Sequence, residues 1–211
     1  MPSSFPAPGA CHLRRAGCVN PTKKAIRQAM LERRNALSAE EAATRSEQIQ
    51  EHVLRSAAFQ KARCVALYAA FDQEVRTERL LREAVRQGKQ AAFPRMKGRG
   101  PEMDFGEVRD QKEMVLSFFG FPEPAPSAPV VALPAIDLMV VPGLAFDREG
   151  FRVGFGAGCY DRVLAALRPE AGTCGIAYDF QVIDQVPRAA HDLAVKLLVS
   201  EGGFIPIGRN R

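Results

Sequence analysis

The sequence predicts an α/β fold, namely a three-layer α/β/α sandwich with a mostly parallel central sheet. Apolar runs that predict strands alternate along the chain with amphipathic runs that predict helices, as is typical of this class. The apolar run 64–70 is unbroken, which indicates a strand buried on both faces of a sheet, and the run 136–141 predicts a further apolar strand. We therefore expect helices to cover both faces.

The length and composition favour one domain. With 211 residues, 46% of them hydrophobic, the chain can bury one substantial core. Its apolar runs are far shorter than the roughly 18 residues of a membrane span, so we expect no membrane association. We expect residues 21–205 to form the domain and residues 1–20, rich in proline and glycine, to form a disordered arm. The arm lacks acids, as transit peptides do, but its early prolines oppose the amphipathic helix of such peptides.

The positive charge of the chain is confined to its start. Residues 1–27 hold five of the 29 basic residues and none of the 24 acidic ones, so the net charge of +5 arises there. The remainder carries 24 residues of each sign and is electrically balanced. We therefore expect no general basic face for DNA or RNA.

The cysteines predict neither a zinc site nor a disulfide framework. There are five of them, an odd number, and no Cys-x-x-Cys pair. Reduced thiols of a cytoplasmic protein are the simpler interpretation, and we expect a monomer. Cys159 lies in a glycine-rich loop, where packing is a simpler role than reactivity.

Two helices are predicted near the start of the domain. Thr22 is placed to cap a helix that runs from residue 23 to about residue 37. Ser38 and Glu41 match a capping box, which predicts a second helix to about residue 57. Lys23 and Arg27, at i and i+4, project from one side of the first helix, and their spacing alone favours a solvated basic face.

The rest of the chain continues the alternation of strands and helices. A loop at 71–75 follows the first strand at its carboxyl end, where α/β sheets bind ligands. The proline-rich segment 123–134 is interpreted as a connection within the sheet. The predicted elements are a strand over 64–70, a helix over 77–87 stopped by Gly88, a strand over 90–93 ended by Pro94, a hairpin strand around Met103 and Phe105, a strand over 136–141, a helix over 160–167, and strands over 173–177 and 195–199.

The stretch 140–161 carries the strongest functional signal. It contains VPGLAFDREGFRVGFGAGCYD, in which a strand leads through a glycine-rich loop into a helix. Such loops bind phosphate, because glycine allows close approach, backbone N–H groups point inward and the helix dipole favours anions. An acid at the helix start, Asp161, is suited to hold the magnesium that accompanies a nucleotide. Taken alone, the glycine spacing fits a tight turn equally well, and it matches neither the dinucleotide fingerprint nor a Walker A loop.

The same stretch resembles the signature of the 5-formyltetrahydrofolate cyclo-ligase (5,10-methenyltetrahydrofolate synthetase) family. Three further blocks resemble the family in its order: KKAIR at 23–27, YAAFDQEVRT at 68–77 and VPRAAHD at 186–192. The resemblance extends from about residue 23 to about residue 200. It implies a fold like that of NagB, RpiA and the CoA transferases.

The resemblance also implies a reaction in one-carbon metabolism. The family uses ATP and magnesium to convert 5-formyltetrahydrofolate irreversibly to 5,10-methenyltetrahydrofolate, ADP and phosphate. Phosphoryl transfer to the formyl oxygen would turn a poor leaving group into phosphate, so that N10 can attack. Catalysis of this kind rests on positioning and charge neutralisation.

The resemblance assigns site residues as follows. The ATP-binding residues are Lys23, Lys24, Ala25, Ile26, Arg27, Arg152, Val153, Gly154, Phe155, Gly156, Ala157, Gly158, Cys159 and Tyr160. The folate-binding residues are Ala69, Glu74, Phe155, Gly156, Ala157, Gly158 and Cys159. The catalytic residues are Glu74, Arg152, Tyr160 and Asp161, and the metal ligands are Asp161 and Asp192.

Each of the assigned acids has a simpler alternative. Asp161 is also placed to complement the helix dipole, and Asp192 to cap a turn. Glu74 has Arg76 and Arg79 nearby in sequence, with which it would pair in solvent.

Two loop residues depart from the family pattern. Ala157 stands where the family commonly has glycine or lysine, and Cys159 where it has tyrosine. Loss of a tyrosine would weaken folate affinity. The alternative function is therefore a folate- or nucleotide-binding family member with weak or no turnover.

Overall fold

The structure is a computed structural model, and it describes residues 21–208. The predicted disordered arm, residues 1–20, lies outside the described residues. The helices are α1 (Lys23–Asn35), α2 (Ala39–Arg55), α3 (Ala57–Lys61), α4 (Glu78–Arg86) and α5 (Cys159–Ala166). The strands are β1 (Cys64–Ala66), β2 (Gln90–Met96), β3 (Met103–Glu107), β4 (Met114–Leu116), β5 (Pro122–Pro124), β6 (Leu138–Val141), β7 (Ala145–Asp147), β8 (Arg152–Val153), β9 (Gly172–Ile176), β10 (Val182–Ile183), β11 (Leu197–Ser200) and β12 (Gly203–Ile205).

The centre of the fold is a seven-stranded sheet with the order β12-β11-β9-β6-β1-β2-β3. The five inner strands, from β11 to β2, are parallel to their neighbours, and the two edge strands are antiparallel. The prediction of a mixed α/β fold with a mostly parallel central sheet is confirmed. The closer assignment to the NagB, RpiA and CoA transferase group stays a prediction.

Both faces of the sheet are covered, which gives the three layers. On one face, α2, α3 and α4 pack through residues such as Ile49, Phe59 and Leu80. On the other face, α5 and the β7–β8 hairpin pack through residues such as Val163 and Phe146. This burial on both faces explains why the sequences of the predicted strands are continuously apolar. Among residues 21–208, no helix combines the length and apolar character required to cross a membrane.

Side-chain caps fix the start of the first two helices, as predicted. The Thr22 hydroxyl accepts a hydrogen bond from the Ala25 amide over 3.2 Å at the start of α1. At the start of α2, Ser38 and Glu41 form the capping box in both directions. These bonds satisfy amide groups that have no partner within a helix.

A second, three-stranded sheet with the order β10-β7-β8 carries the glycine-rich stretch. The ring of Phe146 fills the space between this sheet and the central one. A Cβ atom on Gly143 would lie 2.6 Å from that ring, and one on Gly175 would lie 2.5 Å from it. Glycine at both positions is therefore a packing requirement, since no real side chain fits at such distances.

Several elements differ from the sequence prediction. β2 continues through Pro94, which was expected to end it, because Pro94 lies beyond Ala92, the last β2 residue that pairs with β1. The first strand is shorter than expected and ends at Ala66, although Leu67 and Tyr68 after it remain buried. Elements absent from the prediction are α3, the strands β4 and β5, the β7–β8 hairpin, β10 and the edge strand β12.

Candidate active site

The glycine-rich loop connects β8 to α5 and lies at the surface. Gly156 has a φ of +114° and Gly158, the N-cap of α5, a φ of +69°. Backbone angles in this region favour glycine strongly. Phe155, Gly156 and Ala157 are exposed, so the loop backbone is open to a ligand, and the N-terminus of α5 directly follows it.

Helix α1 docks directly on this loop. Arg27 Nε donates a 2.7 Å hydrogen bond to the carbonyl oxygen of Gly154. Ile26 is buried in the same cluster as Val153, which holds the helix against β8. The first and third resembling blocks, more than 120 residues apart in sequence, therefore meet in space.

The start of α1 also contacts the fourth block. Lys23 Nζ donates to Asp192 Oδ2 over 2.5 Å, and the Ala189 amide donates to the same oxygen over 2.6 Å. Burial acts to raise the pKa of Asp192, but the hydrogen bonds from Lys23 and Ala189 outweigh it and lower that pKa. His191 beside it is 78% exposed, as expected of a surface histidine.

Asp161 forms a similar pair with Arg152. Arg152 is buried, and its Nη2 donates to Asp161 Oδ1 over 2.9 Å while its Nη1 donates to the Leu193 carbonyl over 2.9 Å. The Leu193 amide donates to the same Oδ1 over 3.2 Å. Burial lowers the pKa of Arg152, an effect that Asp161 opposes. Asp161 and Asp192 are thus both tied to the segment 189–193.

The two acids suit a hard cation in one specific respect. Within residues 21–208, both hydrogen bonds on Asp161 fall on Oδ1 and both of those on Asp192 fall on Oδ2, so the second oxygen of each carboxylate accepts no hydrogen bond. His191 Nε2 lies 3.8 Å from Asp192 Oδ1. Magnesium is commonly held by one or two carboxylates together with phosphate oxygens and water. Within residues 21–208, no cluster of three or more metal-ligating side chains occurs, so these two acids would need such additional ligands.

Glu74 lies in a strained loop after β1. Asp72 and Gln73 precede it with φ values of +46° and +58°, which is uncommon for residues other than glycine. Glu74 is buried, and Arg34 Nη1 donates to its Oε1 over 3.3 Å. Burial raises the pKa of Glu74 to about 7, although Arg34 acts to lower it.

The alternative that Glu74 pairs with nearby arginines in solvent is wrong. Arg76 Nη2 donates to the Ala39 carbonyl, and Arg79 pairs with Glu47 and Glu51 on α2. The partner of Glu74 is instead on α1, 40 residues away in sequence.

A row of aromatic rings connects the glycine-rich loop with the β4–β5 turn. The Phe155 ring stacks on Phe71 at 5.6 Å, Phe71 on Phe121 at 5.8 Å, and Phe121 on Phe119 at 5.9 Å. Phe71 is in the same loop as Glu74, and Ala69 at the loop start is partly buried. The row therefore extends from the Glu74 loop toward the surface.

The remaining side chains of α5 at the site are uncharged at neutral pH. Burial, with a further contribution from Glu74, raises the pKa of Tyr160 well above its ordinary range. Burial also raises the pKa of Cys159. The Tyr160 hydroxyl is therefore a hydrogen-bonding group, and the Cys159 thiol fits the packing role expected from the sequence.

Comparison with known proteins agrees with this geometry. The model of the 5-formyltetrahydrofolate cyclo-ligase family matches residues 19–201, which is most of the chain. The chain belongs to this family. The family resemblance recognised in the sequence is confirmed.

Individual family relatives match over almost their full length. The chain is 27% identical to 5-formyltetrahydrofolate cyclo-ligase of Mus musculus over 193 residues, which cover 87% of this chain and 95% of the mouse protein. It is 27% identical to the enzyme of that name from Escherichia coli K12 over 172 residues, covering 80% and 94%. Among solved structures, 5,10-methenyltetrahydrofolate synthetase of Aquifex aeolicus superposes with a TM-score of 0.77 at 33% identity, covering 90% of this chain and 94% of that one.

The family residues are brought together to different degrees. Lys23 and Arg27 reach the glycine-rich loop or the fourth block, whereas Lys24 and Ala25 are exposed on α1. The side chains of Ile26 and Val153 lie in the core, so those two residues offer a ligand their backbone only. The assignments of ATP, folate and metal residues stay predictions.

Sequence reasoning missed Arg34 and the aromatic partners of Phe155. Arg34 is 1% exposed and follows Ile26 and Met30 at intervals of four on the buried face of α1. That spacing was a usable signal, because an arginine in the apolar stripe of a helix needs a buried partner. Phe71, Phe119 and Phe121 lie in loops, for which no periodicity exists.

Proposed function

We propose that the chain converts 5-formyltetrahydrofolate to 5,10-methenyltetrahydrofolate with ATP and magnesium, releasing ADP and phosphate. One observation carries this proposal beyond family membership. Lys23 and Arg27 of α1 converge with Asp161, Asp192 and the open glycine loop in one place. Bases, loop amides and acids in this combination suit a magnesium nucleotide.

The nucleotide side of the site is formed by α1 and the glycine-rich loop. Lys23 and Arg27 neutralise phosphate oxygens, and the loop amides between Arg152 and Tyr160 surround the phosphates at the N-terminus of α5. Lys23 now pairs with Asp192, so nucleotide binding would exchange that partner for a phosphate. Asp161 and Asp192 would hold magnesium, which would supply further neutralisation of the phosphate charge.

The folate side of the site is formed by Glu74 and the aromatic row. The buried Glu74 orients the pteridine ring or N10 of the substrate, and Ala69 and Phe155 contact the folate. Phe71 and Phe121 continue the stacked row from Phe155, and rings of this kind bind a planar aromatic group well. Because the row begins beside the Glu74 loop, it fits the aromatic part of the folate that follows the pteridine ring.

The chemistry follows from this positioning. The formyl oxygen attacks the γ-phosphorus, and the bond to ADP breaks. The N10 lone pair then attacks the formyl carbon, phosphate leaves with the original formyl oxygen, and the N10 proton is lost. No protein nucleophile is needed. The raised pKa values of Cys159 and Tyr160 agree with this, because they keep both side chains protonated.

The proposal extends to the state of the protein in the cell. We expect a cytoplasmic monomer that does not bind nucleic acid. Lys23 and Arg27, two of the five bases that give the chain its positive charge, contact Asp192 and the Gly154 carbonyl. They are therefore not part of an open basic face.

The proposal is tested by following the absorbance band of methenyl-folate. Protein, 5-formyltetrahydrofolate, ATP and magnesium are mixed, and each of the last two is left out in turn. We expect a rise in absorbance that requires both. Binding of folate without any rise would instead support the alternative of a family member with little or no turnover, for which Ala157 and Cys159 are the sequence basis.

A further inference from the structure

Arg34 is the largest fully buried side chain of the described residues, yet most of its hydrogen-bonding groups are unused. Its side chain is 1% exposed, and Nη1 donates to Glu74 over a long 3.3 Å. Within residues 21–208, its Nε and Nη2 are buried and have no hydrogen-bond partner. A buried donor left unpaired costs about 1–3 kcal/mol, and more on a charged group. Protein groups within the described residues therefore do not satisfy this side chain.

Arg95 shows how this protein uses an arginine for structure. Its Nε and Nη2 bind the two oxygens of Asp104 at 3.0 and 3.3 Å. Its Nη1 donates to the carbonyls of Ala125 and Pro126 at 2.9 and 3.1 Å. Arg34 makes one such hydrogen bond where Arg95 makes four, which leaves the other donors of its planar group available.

The surroundings of Arg34 include residues of the proposed folate side of the site. Arg34 and Glu74 line a small cavity of about 10 Å³ together with Tyr68, Gly143 and Gln181. The guanidinium also lies over the Phe155 ring, with Cζ 5.8 Å from the ring centroid.

The other charged and titratable groups near Glu74 do not occupy these donors. Besides Arg34, the groups that act on Glu74 or respond to it are Asp72, Tyr68 and Tyr160. The Tyr68 hydroxyl donates to the Val75 carbonyl over 2.7 Å. Arg34 is thus the cation that pairs with the buried Glu74 carboxylate.

We propose that Arg34 is a substrate-contacting residue, whose Nε and Nη2 donate to the oxo group of the pteridine ring while Nη1 holds Glu74. The pteridine edge presents N–H groups beside that oxo group, so a carboxylate next to a guanidinium is complementary to it. The inference rests on the proposed function and adds to it the recognition of the ring. It also assigns Glu74 to the pteridine ring rather than to N10.

The experiment measures dissociation constants by calorimetry without ATP. Its ligands are 5-formyltetrahydrofolate and the analogue in which an amino group replaces the oxo group. The variants are Arg34→Leu, Arg34→Lys and the control Arg33→Leu, which removes an exposed arginine from the adjacent position of α1. Melting temperatures show whether each variant folds.

We expect Arg34→Leu to weaken binding of 5-formyltetrahydrofolate about tenfold or more, because the oxo group then lacks its donors. The preference for the substrate over its amino analogue should fall by a similar factor, while the Arg33→Leu variant should keep the wild-type affinity and preference. Arg34→Lys should lose about as much affinity, since a lysine cannot serve Glu74 and the oxo group in the planar geometry.

Unchanged affinity or unchanged preference in Arg34→Leu would overturn the inference. If that variant does not fold, wild-type affinity in Arg34→Lys would overturn it in the same way. Turnover separates this from failure of the proposed function. If the wild-type protein forms methenyl-folate and Arg34→Leu binds 5-formyltetrahydrofolate as tightly as wild type, only the role of Arg34 is refuted. If the wild-type protein forms no methenyl-folate, the proposed function is refuted.

Discussion

Replacing Asp161 with asparagine separates its proposed metal role from its structural role. Both hydrogen bonds on Asp161, from Arg152 and from the Leu193 amide, fall on Oδ1. The single oxygen of asparagine can accept both, so Asp161→Asn removes the charge and the second carboxylate oxygen but keeps the two bonds.

The expected loss of stability is small and the expected loss of activity large. A hydrogen bond to a charged partner contributes about 1 kcal/mol more than a neutral one. The two bonds together therefore lose about 2 kcal/mol, which for a domain of this size lowers the melting temperature by roughly 4–8 °C. Removing one group that neutralises charge in the transition state lowers kcat by about a hundredfold or more.

The assay follows methenyl-folate formation over a magnesium titration, with melting temperature measured in parallel. Glu170→Gln is the matched control, because Glu170 is exposed shortly after α5 and loses the same charge. We expect turnover to fall in Asp161→Asn at all magnesium concentrations and to remain normal in the control. Turnover of Asp161→Asn within a few-fold of wild type would refute the metal role. Asp161 would then only complement the helix dipole and pair with Arg152.

Three further predictions concern Arg27, Glu74 and Gly175. Arg27→Ala should mainly raise the KM for ATP, because its guanidinium lies against the glycine-rich loop; an unchanged KM would make it a surface base. The pKa of Glu74 is about 7 in the folded state, above its ordinary 4.5, so its contribution to stability is present at low pH and lost as the pH rises through 7. Urea unfolding measured from about pH 4.5 to above pH 7 should therefore show less pH dependence in Glu74→Gln than in wild type, and parallel curves would contradict this. Gly175→Ala should lower stability by about 1–3 kcal/mol, since its Cβ would lie 2.5 Å from Phe146, and the additional change Phe146→Leu should recover part of that loss. An equal melting temperature for Gly175→Ala and wild type would show that Phe146 moves freely.

Local patterns determined the parts of the fold that the sequence predicted well. The caps at Thr22 and Ser38 act within one helical turn, and the stop at Gly88, with a φ of +69°, is equally local. The alternation of buried strands and helices along the chain was predicted because buried strands are continuously apolar. Such features depend on neighbours in sequence, so they are visible without the fold.

Features that depend on distant neighbours were missed. Whether Pro94 ends β2 is decided by where β1 stops pairing, and the two-residue strand β8 exists only because β7 lies beside it. The edge strand β12 likewise depends on β11. Sequence periodicity contains no information on these pairings.

The same division holds for the site. The glycine-rich loop and Asp161 were found from the pattern of strand, loop and helix start, and Glu74 because the resemblance to the family marks it. Their partners were not, since Arg152 beside Asp161 and Arg34 beside Glu74 follow from three-dimensional packing. The predicted ATP base Lys23 and the predicted metal acid Asp192 are paired with each other, which no spacing in the sequence indicates.

The fate of the formyl oxygen tests the central claim most directly. 5-Formyltetrahydrofolate labelled with a heavy oxygen isotope in its formyl group is incubated with the protein, ATP and magnesium, and the phosphate released is analysed by mass spectrometry. The account predicts one labelled oxygen in each phosphate, formed in equal amount with methenyl-folate. Phosphate that carries no label, released by attack of water on ATP, would contradict it.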